Sequence, residues 1–143
     1  MARHRRRPRE ALAHAVVDAS VVVDLLVAHP RAPAGRAALD GVDGVAPAIL
    51  DAEVLHAVTR YVRRGDMSEE RARQALGLLT EAAIERFPIA PLVLDAWALR
   101  HDVSAYDGFY VALARVLGCP LITCDRALAR APGLGITLTV IES

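Results

Sequence analysis

Short β-branched apolar runs alternate along this chain with longer segments whose apolar residues recur every three or four positions. The run in "HAVVDAS" predicts a first strand ending at Asp18. "SVVVDLLVA" has the leucines and the length to start a helix, although its consecutive valines would also suit a strand. "HPRAPAG" predicts a loop, "RAALDG" a short helix closing on Gly41, and "GVAPA" a second strand. In "ILDAEVLHAVTRYVRRG", Leu50, Val54, Ala57, Val58 and Tyr61 form a helical stripe that Gly65 stops. Ser68 is placed to cap "SEERARQALGLLTEAAI", with Glu69 and Glu70 complementing the positive end of that helix.

Farther on, "ERFPIA" predicts a short strand and "LVLDAWALRHD" a helix anchored by Trp97. "SAYDGFYVALA" opens a buried helix that ends at Gly118 and carries Tyr106, Phe109, Tyr110, Leu113 and Leu117 at helical spacing. "PLITCD" is a strand, "RALARAPG" a short helix and "GITLTVIE" a final strand. Strands alternating with helices, with continuous apolar runs in the strands, argue for an α/β fold with a parallel sheet covered on both faces.

At 143 residues and 54% hydrophobic content, the chain suits one compact domain with a sizeable core. No apolar run reaches the roughly 18–20 residues that span a bilayer. The apolar stretch after the basic N-terminus is broken by Asp18 and Asp24, which argues against a secretory leader, so a cytoplasmic protein is expected. Cys119 and Cys124 match no zinc spacing and read as small core hydrophobes. The net charge of zero hides an asymmetry. Residues 1–10 hold five arginines, and the remaining 12 arginines face 16 acids, a body of net −4. Residues 1–13 therefore read as a basic, disordered arm, and 14–143 as the domain.

Four acids stand out from those on solvated helix faces. Asp18 and Asp125 follow predicted strands, at the carboxyl edge where ligands bind open α/β sheets. Glu53 lies in the first turns of a helix that follows a strand, and Asp107 opens the helix leading back to the strand before Asp125. Singly, each has a structural role open to it. Asp18 and Asp125 suit helix N-caps, Glu53 suits a solvated edge, and Ser104 with Asp107 resembles a capping box. Together, on one rim, they would repel unless a cation sat among them, and hard oxygen ligands suit Mg²⁺ or Mn²⁺.

The segments "VVDASVVVDLL", "PAILDAEVLHAVTRYVRRG" and "SAYDGFYVALARVLGCPLITCDRALARAPG", in this order, resemble a PIN-domain protein and, more narrowly, a VapC-type ribonuclease toxin of a toxin–antitoxin pair. The resemblance covers residues 15–141. It implies a five-stranded parallel sheet of order 3-2-1-4-5 and a metal-holding quartet of Asp18, Glu53, Asp107 and Asp125. Ser20 and Thr123 match small hydroxyl residues that orient carboxylates or waters. It further implies Mg²⁺- or Mn²⁺-dependent hydrolysis of RNA to 5′-phosphate and 3′-hydroxyl ends, a VapB-like antitoxin and toxin homodimers. Arg126 and Arg130 are candidate phosphate contacts, with surface solvation as their ordinary alternative.

Two positions and the N-terminal arm depart from the family pattern. The basic arm precedes the first strand. His56 stands where a small polar residue is usual and reads as a helix-packing residue. Gly108 replaces a common alanine at a cost of up to about 1 kcal/mol in helix propensity. Two other classes remain open: a non-catalytic RNA-binding or scaffold protein of the same fold, and a metal-dependent phosphatase on another α/β fold. The first would be expected to lose an acid of the quartet. The second often carries Asp-x-Asp after its first strand, where this chain has Asp18 and Ser20.

Overall fold

The computed structural model describes residues 13–142. The arm expected over 1–13 lies outside the described residues apart from Ala13, where the first strand begins. Strands β1 (Ala13–Val17), β2 (Val42–Pro47), β3 (Glu85–Phe87), β4 (Leu121–Thr123) and β5 (Leu138–Val140) form one parallel sheet in the order β3-β2-β1-β4-β5, as the resemblance implied. Ala15, Val16 and Val17 are all buried, and neighbouring strand residues point to opposite faces, so both faces of the sheet are covered. Among the described residues no helix is long and apolar enough to cross a membrane.

Seven α-helices connect the strands: α1 (Ala19–Leu26), α2 (Ala32–Leu39), α3 (Leu50–Arg63), α4 (Glu69–Glu81), α5 (Val93–Ala98), α6 (Ala105–Leu117) and α7 (Arg126–Arg130). Helices α1 to α4 pack on one another, whereas α5 packs on α6 and α6 on β1 and β2. The valine-rich segment after Asp18 is helical because its buried positions, Val21 and Val22 with Asp24, fall on one side of a helix. Helix α4 starts where Ser68 accepts a hydrogen bond from the Arg71 amide at 3.2 Å. Its carbonyl end is held by Arg86 of β3, which donates to the carbonyls of Leu79, Ala82 and Ile84 and to Asp51 on α3. Gly118 closes α6 with φ +61°.

Several expectations need correction. The "HPRAPAG" loop is largely helix: α2 begins at Ala32, because Pro33 in a first helical turn has no amide to leave unsatisfied. Trp97 anchors no core: it is 62% exposed, with the Arg100 guanidinium 4.3 Å above its ring. Tyr106 likewise faces outward and Leu117 is partly exposed, so the burial of α6 is concentrated in its middle, where Tyr110, Val111, Ala112, Leu113 and Ala114 are buried in succession. The cysteines are free and only half-buried, packed against the edge of the core. Gly108 answers a packing demand. A Cβ there would sit 3.2 Å from the Ala96 carbonyl oxygen and 3.3 Å from its Cα, so glycine is what lets α5 lie close on α6.

Leu113→Ala should cost about 2–5 kcal/mol in chemical denaturation, and Leu117→Ala less than half of that loss. Equal losses would mean that α6 turns a different face to the sheet.

Candidate active site at the carboxyl edge of the sheet

The order reverses between β1 and β4, where neighbouring crossovers leave in opposite directions and open a crevice. Asp18 follows β1 immediately, and its amide donates to the Ile122 carbonyl at 2.9 Å, continuing the ladder with β4. Although Asp18 occupies the N-cap position of α1, its side chain makes no cap bond. Its Oδ2 instead accepts from Thr123 Oγ1 at 2.6 Å and from Ser20 Oγ at 2.9 Å. Each hydroxyl is oriented by accepting a backbone amide. The Asp125 amide donates to Thr123 Oγ1 and the Cys124 amide to Ser20 Oγ, both at 3.0 Å.

The other three acids each lie near enough to Asp18 to interact with its charge. Burial pushes the Asp18 carboxyl up from the ordinary carboxylate range against the lowering effect of its two hydroxyl donors, and Asp125 adds repulsion. Glu53 is pushed up to about 7, first by burial and then by Asp18 and Asp107. Asp107 is raised by burial, then by Asp18 and Asp125. No arginine or histidine figures among the groups acting on these three. Thus the four carboxylates expected from the sequence share one electrostatic neighbourhood, and among the described residues none of them is within salt-bridge distance of a basic side chain.

The cap readings prove partly right. Ser104 Oγ accepts the Asp107 amide at 3.2 Å, but no return bond runs from the Asp107 carboxylate to the Ser104 amide, so only half a capping box forms. Asp125 does cap α7, its Oδ1 accepting the Ala127 amide at 2.8 Å, and serves the rim at the same time. Among the described residues, no three His, Cys, Asp or Glu side chains close into a ready cation cage. The donor set nonetheless fits a hard divalent cation. It is all carboxylate, it is mutually repulsive, and Glu53 Oε1 is buried with no hydrogen-bond partner.

Some residues of the site were not singled out in the sequence. Tyr110, read there as core, has a buried hydroxyl without a hydrogen-bond partner. It lies near enough to Glu53 to interact, yet neither group meets hydrogen-bond geometry with the other, and burial raises the phenol far above its usual range. Asp24, noted only as a break in an apolar run, is buried 2.8 Å from Arg31 Nε and accepts the Cys124 thiol at 3.2 Å. Its own partial burial, and then Asp24, push the Cys124 thiol up to about 11, so it stays protonated. A polar residue inside an apolar helical face was the available signal for Asp24. For Tyr110 only its proximity to Glu53 in space could reveal the role.

His56 is exposed and, with Glu53, Ile49, Ala52 and Tyr106, lines a cleft beside the acids, which corrects its reading as a packing residue. Arg126 lies 3.7 Å from Glu142, both well exposed, and Arg130 ends α7 in solvent. A second cavity of about 400 Å³ opens between α1 and α3, with Glu53 at one end and Arg60, Tyr61 and Arg64 at the other.

Residues 15–134 match the model of the PIN domain. The chain is 44% identical over 129 residues to ribonuclease VapC1 of Mycobacterium tuberculosis, spanning 89% of this chain and 97% of that protein. It is 37% identical over 118 residues to ribonuclease VapC12 of the same organism, spanning 82% and 92% respectively. The crystal structure of VapBC2 from Rickettsia felis bound to a promoter DNA fragment contains a chain of the same fold. Its TM-score is 0.68 at 15% identity, over 90% of this chain and 99% of that one.

The raised Glu53 pKa has a signed consequence for stability. A carboxyl raised from 4.5 to about 7 on folding adds no penalty below pH 4.5 and destabilises increasingly as pH rises to about 7, because the unfolded chain ionises first. Glu53→Gln should therefore leave stability unchanged at about pH 3.5 and raise it at about pH 8 in chelator, by roughly 1 kcal/mol once solvent screening is allowed for. Thermal melting at the two pH values checks this, and an equal effect at both would remove Glu53 from the repulsive cluster.

Proposed function

Because the chain belongs to the PIN-domain family and, within it, to the VapC ribonucleases, we propose that it is a divalent-metal-dependent endoribonuclease, the toxin of a VapBC-type pair acting in the cytoplasm. The observation that carries the reading is the gathering of Asp18, Glu53, Asp107 and Asp125 at the switch point with no basic residue acting on the first three. The PIN match leaves the phosphatase alternative without support, and a non-catalytic member would gain nothing from keeping four mutually repelling acids.

The four carboxylates would hold Mg²⁺ or Mn²⁺, which when bound supplies Lewis acidity and neutralises charge developing on phosphate oxygens. The chain's own residues supply orientation. Thr123 and Ser20 hold Asp18 Oδ2 at one position, and the two backbone amides behind them keep those hydroxyls aimed at it. Glu53, which burial and the neighbouring acids push up to about 7, would be returned to the ionised form by the cation it helps to hold. Its neighbour Tyr110 stays a protonated phenol and so remains a hydrogen-bond donor. Buried Leu50 and Val54 back the Glu53 turn of α3 and keep water out beneath it. Arg126 and Arg130 would meet RNA phosphates on the far side of the rim.

A VapB-like antitoxin and a toxin homodimer belong to the same proposal. The exposed apolar side chains Leu94, Trp97 and Val116, on α5 and α6, support a protein-covered face there.

Metal-stripped protein should leave a mixed RNA pool intact and should cut it to 5′-phosphate ends once Mg²⁺ or Mn²⁺ is added. Asp107→Asn should reduce that cleavage at least about a hundredfold. Cleavage indifferent to metal, or an Asp107→Asn variant as active as its parent, would overturn the reading.

A further inference from the structure

The cavity between α1 and α3 is not needed to assemble the four acids, yet it shares Glu53 with them and Ser20 with the hydroxyls that hold Asp18. Along α3, Glu53, Ala57, Arg60, Tyr61 and Arg64 follow at intervals of four, three, one and three residues, so they share one face of the helix. Arg60 lies about 10 Å and Arg64 about 16 Å beyond Glu53 at helical rise. The small side chains of Ala57 and Ala19 leave the passage open between these ends.

Charge changes sign along it. The one acid on the α1 wall, Asp24, is already matched by Arg31 at 2.8 Å. Neither Arg60 nor Arg64 has a carboxylate within salt-bridge distance among the described residues, and both are exposed. Basic residues commonly end helices because they complement the helix dipole. That explanation covers Arg63 equally well, but Arg63 faces a different groove, between α3 and α4. Only the Glu53 face places its arginines in a cavity that an acid of the rim also lines, and it adds the ring of Tyr61.

We propose that this cavity is the subsite for the single-stranded RNA flanking the cleaved bond. Arg60 and Arg64 bind backbone phosphates there, and Tyr61 offers its ring to a base. The inference rests on the ribonuclease reading of the acids. It meets a demand of that reading, because an acidic rim on a body of net negative charge repels RNA and needs fixed cations nearby to hold the strand in register.

The test is the affinity of a fluorescent short single-stranded RNA for the full chain in chelator, measured by anisotropy across a salt series. The variants are Arg60→Gln/Arg64→Gln, Arg60→Lys/Arg64→Lys and, as a charge-matched control, Arg63→Gln/Arg73→Gln. The glutamine pair should flatten the slope of log affinity against log salt by about 1.4, the value for two single-strand phosphate contacts, while the lysine pair restores most of it. In metal-supported cleavage the glutamine pair should raise KM about tenfold and leave kcat within twofold. An unchanged slope would overturn the proposal, and so would a control that loses as much as the glutamine pair. A glutamine pair that binds RNA normally but releases a bound antitoxin would assign the arginines to the protein partner and overturn it too. Failure of the ribonuclease reading shows separately, as cleavage that ignores metal or survives Asp107→Asn, since binding is measured without turnover.

Discussion

Asp18 Oδ2 accepts hydrogen bonds from Thr123 Oγ1 and Ser20 Oγ, and the seam between β1 and β4 is built around that oxygen. The two donors come from opposite sides of the seam, one from β4 and one from α1. Both are oriented in turn by amides of the turn after β4. A buried carboxylate is expensive unless its lone pairs are used, and here both bonds on one oxygen come from hydroxyls that have no better partner. The same contacts that make the burial tolerable fix where β4 hands over to α7, and so fix Asp125. Register, topology and site geometry thus depend on one cluster of short polar contacts at the point where the sheet order reverses.

Around that cluster the fold sustains an electrostatic conflict. Asp18, Glu53 and Asp107 are raised above their ordinary pKa values, each mainly by burial and further by another acid. The elements that carry them are held elsewhere, by Leu50 and Val54 beneath α3, Tyr110 and Leu113 beneath α6, and the ladder between β1 and β4. Stability lies in the core and frustration at the rim, the distribution expected of a functional site. Asp24 shows the contrast. It is as buried as Asp18, but Arg31 neutralises it, and it serves to tie α1 to Cys124 and to the start of α2.

Most of the architecture was legible. The helix and strand order, the parallel sheet and the rim positions of the four acids all followed from periodicity and strand–helix alternation, because a strand buried on both faces is a continuous apolar run. Family resemblance added the strand order. Misreadings came where identity and environment part company. Trp97 and Tyr106 look like core residues, but α5 and α6 turn them outward. Pro33 looks like a loop residue, but at a helix start it costs nothing. Gly108 looks like a defect in a helix until the Ala96 backbone is placed against it.

The order of residues along the chain determined which segments are helix or strand and which acids stand at strand ends, since these are local consequences of spacing. It also carried the Glu53–Arg64 face of α3, which is a matter of helical period alone. What it could not contain was which group neutralises which. Asp24 meets Arg31, whereas the acids of the rim meet hydroxyls, an amide and one another but no basic side chain within salt-bridge distance, although all are carboxylates. Whether a carboxylate is paired, capped or left in conflict depends on distances between segments as much as a hundred residues apart, as from Asp18 to Thr123. Only the folded sheet sets those distances.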